Sequence, residues 1–409
     1  MADSFAKRKL RELKQKTDYK RSRRFVRKII SKPVNEILKV GFIVQMPELW
    51  QTEEPIYRKM CNDSRFEPWL IIVPGFNMLT LELEDNVGDY YINACKNGKM
   101  IITRKDGVWC DIDLDSFDYV FYQRPYNNYL PKYLQSTQVI RHTRTCYVPY
   151  ATLYLKEARE AGLVEDDFFE SIYLGFHEGE DVVDLLNSKY STTDFKRFFS
   201  IGNPTLETAA TLDKTCNYSR VLWAPRWNTD PVIGGSHFLD YYKQLSDFPW
   251  GDNTLTIRPH PLMWDNFNRK NIISEDEKKQ IIDHWNEKGI ISDGNVNYFD
   301  TLNDTDILIS DISSLMTFFM MTGKPVIYCP FGSGFWNLYE QVITGCYIAN
   351  NWDELEETLK MLLSGTDPLK EQRLKVSNEL NMKYNHSTEA IINYIYNDSA
   401  RFRNTEVKK

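Results

Sequence analysis

The sequence predicts an α/β protein made of two doubly wound domains, each a parallel sheet covered by helices. Three observations lead to this prediction. The chain has 409 residues, more than one ordinary hydrophobic core accommodates. Short apolar strands alternate with helical segments, which is typical of parallel sheets. The alternation stops near Gly202-Asn203-Pro204 and then restarts, which indicates two units of similar size with a cleft between them.

The first domain is predicted at residues 38–204, after a basic arm at residues 1–37. Its strands are predicted at Lys39–Gln45, Leu70–Pro74, Tyr119–Gln123 and Thr145–Val148. Its helices are predicted at Pro55–Asp63 and Val164–Tyr173. The strands are mostly apolar runs, as expected for strands that are buried on both faces of a sheet.

The second domain is predicted at residues 205–385, followed by a C-terminal helix or tail at residues 386–409. Its strands are predicted at Arg220–Ala224, Thr254–Arg258, Ile290–Ser292, Asp306–Ser310 and Lys324–Cys329. Its helices are predicted at Phe238–Leu245, Asp276–Lys288, Tyr298–Asn303, Ser314–Thr322 and Trp352–Leu363, and from Glu371 to about Tyr396.

Composition excludes several classes of protein. No run of eighteen uncharged apolar residues occurs, so the sequence predicts no transmembrane helix. The charged N-terminus lacks the apolar core of a secretory signal. The seven cysteines are scattered without a CxxC pair, and no two histidines are spaced i, i+4. We therefore expect reduced thiols in a cytoplasmic protein, and no metal site.

The net charge of −7 hides a strong asymmetry. Residues 1–32 carry 13 Lys/Arg and 3 Asp/Glu, a net charge of +10, whereas the remaining residues carry −17. The segment RSRRFVRKIISKPVNEIL could form a short helix with an apolar stripe and a basic face, suited to an anionic membrane surface. The alternatives are a solvated helix packed on the body, a disordered tail or an oligomer stalk. Nucleic acid is disfavoured, because the acidic body would repel phosphates.

Three predicted strands of the second domain are each followed by a short segment, here called a corner, that carries charged residues, a histidine or hydroxyls. The first strand is followed by Ala224-Pro225-Arg226-Trp227, the second by Arg258-Pro259-His260-Pro261, and the third by Ser310-Asp311-Ile312-Ser313-Ser314. Ligands of open parallel sheets bind beyond the carboxyl ends of the strands, so we expect these corners to share one edge.

Together these corners favour a bound nucleotide diphosphate. Arginines suit bidentate phosphate contacts, and a helix that begins near Ser313 offers N–H groups to an anion. Each residue also has a simpler explanation: Asp311 or Ser313 as a helix N-cap, His260 as a structural histidine, and Arg226 as half of a surface ion pair. No Walker A loop and no GxGxxG motif occur, so neither a P-loop enzyme nor a dehydrogenase is supported.

These motifs resemble the CDP-glycerol glycerophosphotransferase family, which contains teichoic-acid primases and polymerases. The resemblance rests on VLWAPRW, GSHFLDYY, TIRPHP and YFDTLNDTDILISDISSLMTFFMMTGKPVIYC, in this order, between about Arg220 and Tyr347. It implies a GT-B fold, in which two Rossmann-like domains face a central cleft and the C-terminal one holds the donor nucleotide. It also implies work on lipid-linked acceptors at the cytoplasmic membrane face, without a required metal or other cofactor.

The resemblance assigns roles to the residues that match the family motifs. His260 matches the catalytic histidine of the RPH motif, and Arg258 belongs to the same motif. Arg226 matches only approximately, because here the arginine precedes Trp227. The corner that binds the donor phosphates is matched by Ser310, Asp311, Ser313 and Ser314.

The acceptor side departs from the family pattern. The polymerases carry a WHGTPLK-like motif with a second catalytic histidine, whereas the corresponding region here reads RTCYVPYAT, with Tyr150 near the position of that histidine. Residues with a possible acceptor-side role are Glu48, Tyr126, His142 and Tyr150. Ordinary loop packing explains these residues equally well.

Three functions follow from these patterns. The first is a peripheral membrane transferase that moves a glycerol-phosphate or related group from a CDP-activated polyol to a lipid-linked or glycan hydroxyl, in teichoic-acid or capsule-polysaccharide synthesis. The second is a GT-B glycosyltransferase that uses a nucleotide sugar. The third is a non-catalytic, membrane-associated binding subunit. The sequence leaves a homo-oligomer open.

Overall fold

The computed structural model describes residues 22–76, 82–85, 87–152, 166–192, 195–230, 235–331 and 335–403. The arm before Ser22 lies outside the described residues, as does the start of the predicted helix Val164–Tyr173. The chain divides into two compact units. Unit 1 comprises Met1–Tyr150, Gly162–Pro204 and His386–Lys409, and unit 2 comprises Ala151–Ala161 and Thr205–Asn385.

Unit 1 is built on a parallel sheet of seven strands. These are β1 Leu38–Val44, β2 Phe66–Ile72, β5 Lys99–Ile102, β8 Tyr119–Tyr122, β9 Arg144–Tyr147, β10 Leu174–His177 and β11 Phe198–Ser200. Their order is β11-β10-β9-β8-β1-β2-β5. Two small antiparallel pairs form separate sheets: β3 Gly75–Phe76 with β4 Leu83–Glu84, and β6 Arg104–Lys105 with β7 Val108–Trp109. The central strands are almost wholly buried, which explains their continuous apolar runs.

The helices of unit 1 cover this sheet. They are α1 at residues 22–29, α2 Trp50–Cys61, α3 Val87–Ala94, α4 Ser136–Val139, α5 Asp166–Glu170, α6 Glu180–Tyr190 and α16 Ser387–Arg403. Short 3-10 turns lie at Pro47–Leu49, Leu114–Ser116, Asn127–Tyr129 and Lys132–Leu134.

Helix α1 is the part of the basic arm that the structure describes. Val26 and Ile29 are buried in the core of unit 1, while Arg24, Arg27 and Lys28 face solvent. The predicted apolar stripe therefore exists, but it is used for packing within unit 1. Only the basic face of this helix is free for another surface.

Unit 2 contains a second parallel sheet, of six strands. These are β12 Arg220–Ala224, β13 Thr254–Ile257, β14 Ile291–Ser292, β15 Ile307–Ser310, β16 Val326–Tyr328 and β17 Tyr347–Ile348. Their order is β14-β13-β12-β15-β16-β17. Because both units carry parallel sheets flanked by helices, the predicted α/β class is confirmed.

The helices of unit 2 lie mostly where the sequence predicts them. They are α7 Pro204–Ala209, α8 Phe238–Asp247, α9 Met263–Arg269, α10 Glu275–Glu287, α11 Tyr298–Asn303, α12 Ser314–Met320, α13 Asn337–Ile343, α14 Trp352–Leu363 and α15 Lys370–Tyr384. Helix α10 begins with a capping box: the Ser274 hydroxyl accepts the Glu277 N–H, and the Glu277 carboxylate accepts the Ser274 N–H at 2.8 Å.

The segment predicted to be helical from Glu371 to about Tyr396 contains two helices. Helix α15 ends at Tyr384, and α16 starts at Ser387. Helix α16 belongs to unit 1, where Ile391, Ile392 and Ile395 enter the core. Among the described helices, none combines the length and the apolar character that a membrane span requires.

Candidate functional site

The segments that follow β12, β13 and β15 leave the unit 2 sheet at the same edge. Strand β12 lies between β13 and β15, so Trp223 pairs with Ile257 and Ala224 pairs with Ser310. All three strands run parallel, and their carboxyl ends therefore lie side by side. The segments that carry Arg226, His260 and Asp311 leave the sheet together, at the edge where such sheets bind ligands.

Asp311 organises this edge through backbone and side-chain contacts. Its side chain is 1% exposed. One carboxylate oxygen accepts the Arg226 N–H at 2.8 Å, and the other accepts the His237 ring Nδ1–H at 2.8 Å and the His237 backbone N–H at 3.3 Å. The Arg226 guanidinium donates to the Ile312 carbonyl at 3.4 Å. Asp311 thus fixes the loop after β12 against the loop after β15, and it does not face solvent.

His237 is a site residue without a role in the sequence analysis. Because Nδ1 donates to Asp311, the neutral ring keeps its lone pair on Nε2. The ring stacks on Tyr241 at a centroid distance of 5.1 Å and contacts the Phe331 ring at 4.1 Å. Gly235 makes this packing possible, since a Cβ there would lie 3.0 Å from the Phe331 ring. His237 precedes a helix and does not follow a strand, so a search of strand ends passes over it.

His260 has the opposite arrangement of ring hydrogen bonds. The Leu262 backbone N–H donates to His260 Nδ1 at 3.1 Å, so the neutral ring carries its proton on Nε2. Burial lowers the pKa of His260 to about 3, and the charges of Arg226 and Arg258 act in the same direction. At neutral pH this histidine is therefore an uncharged hydrogen-bond donor through Nε2.

Arg258 already has two protein partners. Its Nη1 donates to the Asp293 carboxylate and its Nη2 to the Asn295 carbonyl at 2.7 Å. Burial alone would raise the pKa of Asp293. Hydrogen bonds from Thr301 and Asn295, with the Arg258 charge, hold that pKa below its ordinary value. The direct phosphate contact of Arg258 stays a prediction. Asp293 follows β14, so the strand-end rule could have found it.

The serines of the third corner differ in their surroundings. Ser310 is fully buried, and its hydroxyl donates to the Asp311 carbonyl at 2.7 Å and lies 2.9 Å from the Ser313 hydroxyl. It therefore braces the corner and is not open to a ligand. Ser313 occupies the N-cap position of α12 without making a side-chain cap. The Ser314 hydroxyl lies 3.4 Å from the Thr152 carbonyl, and both Ser313 and Ser314 are partly exposed.

Three of the four predicted acceptor-side residues lie at the carboxyl edge of the unit 1 sheet. Glu48 is in the turn after β1, Tyr126 follows β8 and Tyr150 follows β9. The Tyr126 and Tyr150 hydroxyls are 3.2 Å apart. The structure therefore brings these three residues to one edge of the sheet, and their role in binding an acceptor stays a prediction.

His142 does not join this group. It lies just before β9, at the edge where the strands of unit 1 begin. Its Nδ1 is 3.1 Å from the Asp115 carboxylate, and both side chains are exposed. The structure thus separates His142 from the acceptor-side residues, and an exposed ion pair explains it.

Among the described residues, no group of three or more His, Cys, Asp or Glu side chains could hold a metal ion. The unit 2 edge carries two arginines: Arg258 forms an ion pair with Asp293, whereas Asp311 accepts the backbone N–H of Arg226.

Comparison with solved structures identifies the fold. The wall teichoic acid polymerase TagF is similar over 98% of this chain and 98% of its own, with 14% identity and a TM-score of 0.51. The UDP-GlcNAc 2-epimerase from Neisseria meningitidis bound to UDP-GlcNAc is similar over 88% of this chain and 100% of its own, with 11% identity and a TM-score of 0.57. The S. aureus MnaA–UDP structure is similar over 88% and 96%, with 13% identity and a TM-score of 0.54. These likenesses confirm the predicted GT-B class.

Comparison with sequence families gives a match that spans the second unit and part of helix α16. No curated protein matches the chain. Residues 205–397 match the model of the family described as CDP-Glycerol:Poly(glycerophosphate) glycerophosphotransferase. The resemblance and the class of transferase that the sequence predicts are therefore confirmed, and the similarity to this family covers residues 205–397, a little under half of the chain.

Proposed function

We propose that this chain transfers a glycerol-phosphate or related polyol-phosphate group from a CDP-activated donor to a hydroxyl of a lipid-linked or glycan acceptor. The product would be part of a cell-surface polymer. The observation that carries the proposal is the edge of unit 2, where Asp311 holds the Arg226 segment and His237, and where the neighbouring strand β13 leads into the loop that carries His260. This edge lies within the part of the chain that matches the family.

In the proposed reaction, the acceptor hydroxyl oxygen attacks the β-phosphorus of the donor. The bond from that phosphorus to the oxygen that bridges to CMP breaks, CMP leaves, and the hydroxyl proton passes to a base. Negative charge spreads over the phosphate oxygens as this happens. Arg226 supplies positive charge at the edge, and the partly exposed Ser313 and Ser314 hydroxyls supply donors.

The protonation state of His260 limits the roles that this residue can take in the reaction. An uncharged ring with its proton on Nε2 can donate a hydrogen bond to a phosphate oxygen, and it cannot accept a proton at that atom. We therefore assign His260 to the polarisation of a donor phosphate oxygen. His237 has the complementary lone pair on Nε2, so it is the better proton acceptor of the two.

The nucleotide product tests this proposal. The full chain is incubated with CDP-glycerol, CDP-ribitol or UDP-N-acetylglucosamine and an acceptor, with and without a chelator. CMP release from a CDP-polyol, unaffected by the chelator, is the expected result. Release of a nucleoside diphosphate would instead support a glycosyltransferase, and absence of nucleotide binding at millimolar concentration would support a binding subunit.

A variant of the same assay tests His260. We expect His260→Ala to lower turnover by about 10² to 10³, the usual effect of losing one oriented donor. His284→Ala is the matched control, because His284 is 44% exposed on α10, outside this edge. Unchanged turnover of His260→Ala would contradict the assignment.

We further propose that the protein works at the inner face of the cell membrane and contacts anionic lipid through its basic arm. The apolar face of α1 is buried in unit 1, so contact would be electrostatic. The supporting observation is a cavity of about 330 Å³ whose lining includes Arg23, Arg24, Arg27 and Arg197.

A further inference from the structure

Helix α2 buries a carboxyl group that has no part in the donor site. The stripe of this helix that faces the core consists of Trp50, Glu53, Ile56, Tyr57 and Met60, which are all buried. Their helical spacing marks one face of α2, where apolar residues are expected. Glu53 occupies one of these positions, and it is 0% exposed.

Glu53 has no hydrogen-bond partner among the described residues, for either of its carboxyl oxygens. Other buried carboxyls differ in this respect: Asp311 accepts three N–H groups, and Asp398 accepts two tyrosine hydroxyls. The neighbouring Glu54 is partly exposed and accepts the Arg58 Nε–H at 2.6 Å. Because an ionised carboxylate without donors is costly in a protein core, Glu53 is uncharged at neutral pH.

The groups around Glu53 do not offset this cost. Tyr91 of α3 lies close enough for the two ionisations to oppose each other, and its ring meets the Trp50 ring edge to face at 5.7 Å. Charged or titratable groups on the elements around α2 also include Glu54, Tyr57 and Arg58 on α2 itself, Glu48 in the preceding turn, Asp89 and Tyr90 on α3, Lys39 on β1, Glu67 on β2 and Glu389 on α16. Burial raises the pKa of Glu53 well above 4.5, and among the described residues no cation lowers it. The start of a helix favours negative charge, but Glu53 accepts no N–H there, so burial decides.

Tyr91 connects this part of the core to the loop after β1. The Gln123 Nε2 donates to the Tyr91 hydroxyl oxygen at 3.2 Å and to the Met46 carbonyl at 2.8 Å. The Gln123 Oε1 accepts the Gln45 N–H at 2.9 Å and the Met46 N–H at 2.8 Å. This loop leads directly into the turn that carries Glu48, one of the residues with a predicted acceptor-side role. Two successive hydrogen bonds therefore link the core of α2 to the acceptor-side edge.

We propose that Glu53 is a positioning residue of the acceptor-side edge and makes this edge sensitive to alkaline pH. While the carboxyl is protonated, the first turn of α2 stays in the core and supports Tyr91. When the carboxyl loses its proton, the charge must reach water, so the first turn leaves the core and Gln123 loses its support. The pH sensitivity follows from the contacts within unit 1, and its effect on catalysis rests on the proposed function.

Urea unfolding of the full chain between pH 6 and pH 10 tests the protonation of Glu53. In this range the unfolded chain has lost the Glu53 proton and the folded chain keeps it, so stability falls as the pH rises towards the pKa of the folded state. The folding equilibrium constant of Glu53→Gln should therefore gain about tenfold per pH unit relative to the wild type, because only the wild type takes up this proton on folding.

The matched control for unfolding is Glu54→Gln, which removes the adjacent carboxyl and should keep a constant ratio to the wild type. If Glu53→Gln does not fold, Glu53→Met should show the same trend with pH, since it also lacks a titrating group. A constant ratio between the Glu53 variant and the wild type would overturn the inference, because Glu53 would then be ionised in the folded protein.

Hydrogen exchange of the Gln45 and Met46 amides tests the link to the edge. The ratio of folding constants levels off at the pH where the folded wild type releases the Glu53 proton. At that pH these two amides should lose at least tenfold in protection in the wild type, after correction for the intrinsic exchange rate, and should keep it in Glu53→Gln. Equal protection in both chains, or a ratio that still rises at pH 10, would refute a pH-sensitive edge.

Turnover with CDP-glycerol and an acceptor separates this inference from the proposed function. The acceptor KM of the wild type should rise several-fold through the same pH interval, whereas that of Glu53→Gln and the donor affinity of both chains should stay constant. The same KM profile in both chains would mean that Glu53 does not position the acceptor-side edge. Absence of turnover would contradict the proposed function alone, since unfolding and hydrogen exchange still decide the role of Glu53.

Discussion

Two histidines of unit 2 hold their ring protons on opposite nitrogens, and this sets what each can do. His260 accepts a backbone N–H at Nδ1, whereas His237 donates from Nδ1 to Asp311. One ring is therefore a donor at Nε2 and the other an acceptor. The partner of His260 is two residues away in sequence, whereas the partner of His237 is 74 residues away.

The depressed pKa of His260 predicts a loss of stability in acid. Its pKa is about 3 in the folded protein, against about 6.5 for an unfolded histidine. Between these values the unfolded chain binds a proton that the native protein does not, so the stability contribution falls as the pH drops through this window. From pH 7 to pH 5 the loss from this residue should be about 2 kcal/mol.

Urea unfolding at pH 7 and pH 5 measures this loss. His260→Asn keeps an acceptor near the Leu262 N–H but does not titrate, so its stability should fall by about 2 kcal/mol less than that of the wild type over the same interval. His284→Asn is the control and should follow the wild type. Equal losses in His260→Asn and wild type would refute the low pKa.

Only part of this site could be predicted from sequence. His260 and Arg226 were found because they follow apolar strands, and parallel strands bring such residues to one edge. The burial of Ser310 and the pairing of Arg258 with Asp293 depend on side-chain directions and on the position of β14. A linear sequence pattern shows neither the burial of Ser310 nor the Arg258–Asp293 ion pair, because the residues in contact come from separate elements.

At the scale of elements, helix α16 shows which features of a helix the sequence pattern does not predict. The sequence predicts helical structure from Glu371 to about Tyr396 and a separate C-terminal helix or tail from residue 386. The packing of α16 against the core of unit 1 depends on tertiary contacts, which a linear pattern does not show. The strands, by contrast, were predictable, because burial on both faces demands continuous apolar runs such as that of β15.

Asp398 is the polar anchor of α16 and predicts a stability change in unit 1. It is 4% exposed and accepts the Tyr119 hydroxyl at 2.9 Å and the Tyr173 hydroxyl at 3.1 Å. Asp398→Ala would leave two buried hydroxyls without this acceptor, so we expect a loss of about 2–4 kcal/mol in the free energy of unfolding.

Chemical denaturation of the full chain at pH 7 tests the anchor. Glu389→Ala is the control on the same helix, since Glu389 is 60% exposed and should change stability by less than about 0.5 kcal/mol. A loss for Asp398→Ala no larger than that of the control would mean that α16 is held by its isoleucines alone.

At the scale of the whole molecule, the charge distribution predicts that the protein binds anionic membrane surfaces. Residues 1–32 carry a net charge of +10 and the remaining residues −17, so this basic segment should bind anionic vesicles through electrostatics, because the apolar face of α1 is buried. Each basic residue near such a surface contributes about 1 kcal/mol. The double variant Arg24→Gln/Arg27→Gln should therefore bind phosphatidylglycerol vesicles at least tenfold more weakly than the wild type.

Co-sedimentation of the full chain with vesicles separates this mechanism from insertion of an apolar segment. Binding should fall steeply between about 50 mM and 500 mM salt, and it should be absent with phosphatidylcholine alone. The control is Lys279→Gln/Lys375→Gln, which removes the same charge from exposed positions of unit 2. If both double variants lose affinity for vesicles equally, binding depends on the net charge of the whole protein and not on the arm. Salt-resistant binding to neutral vesicles would exclude the electrostatic mechanism altogether.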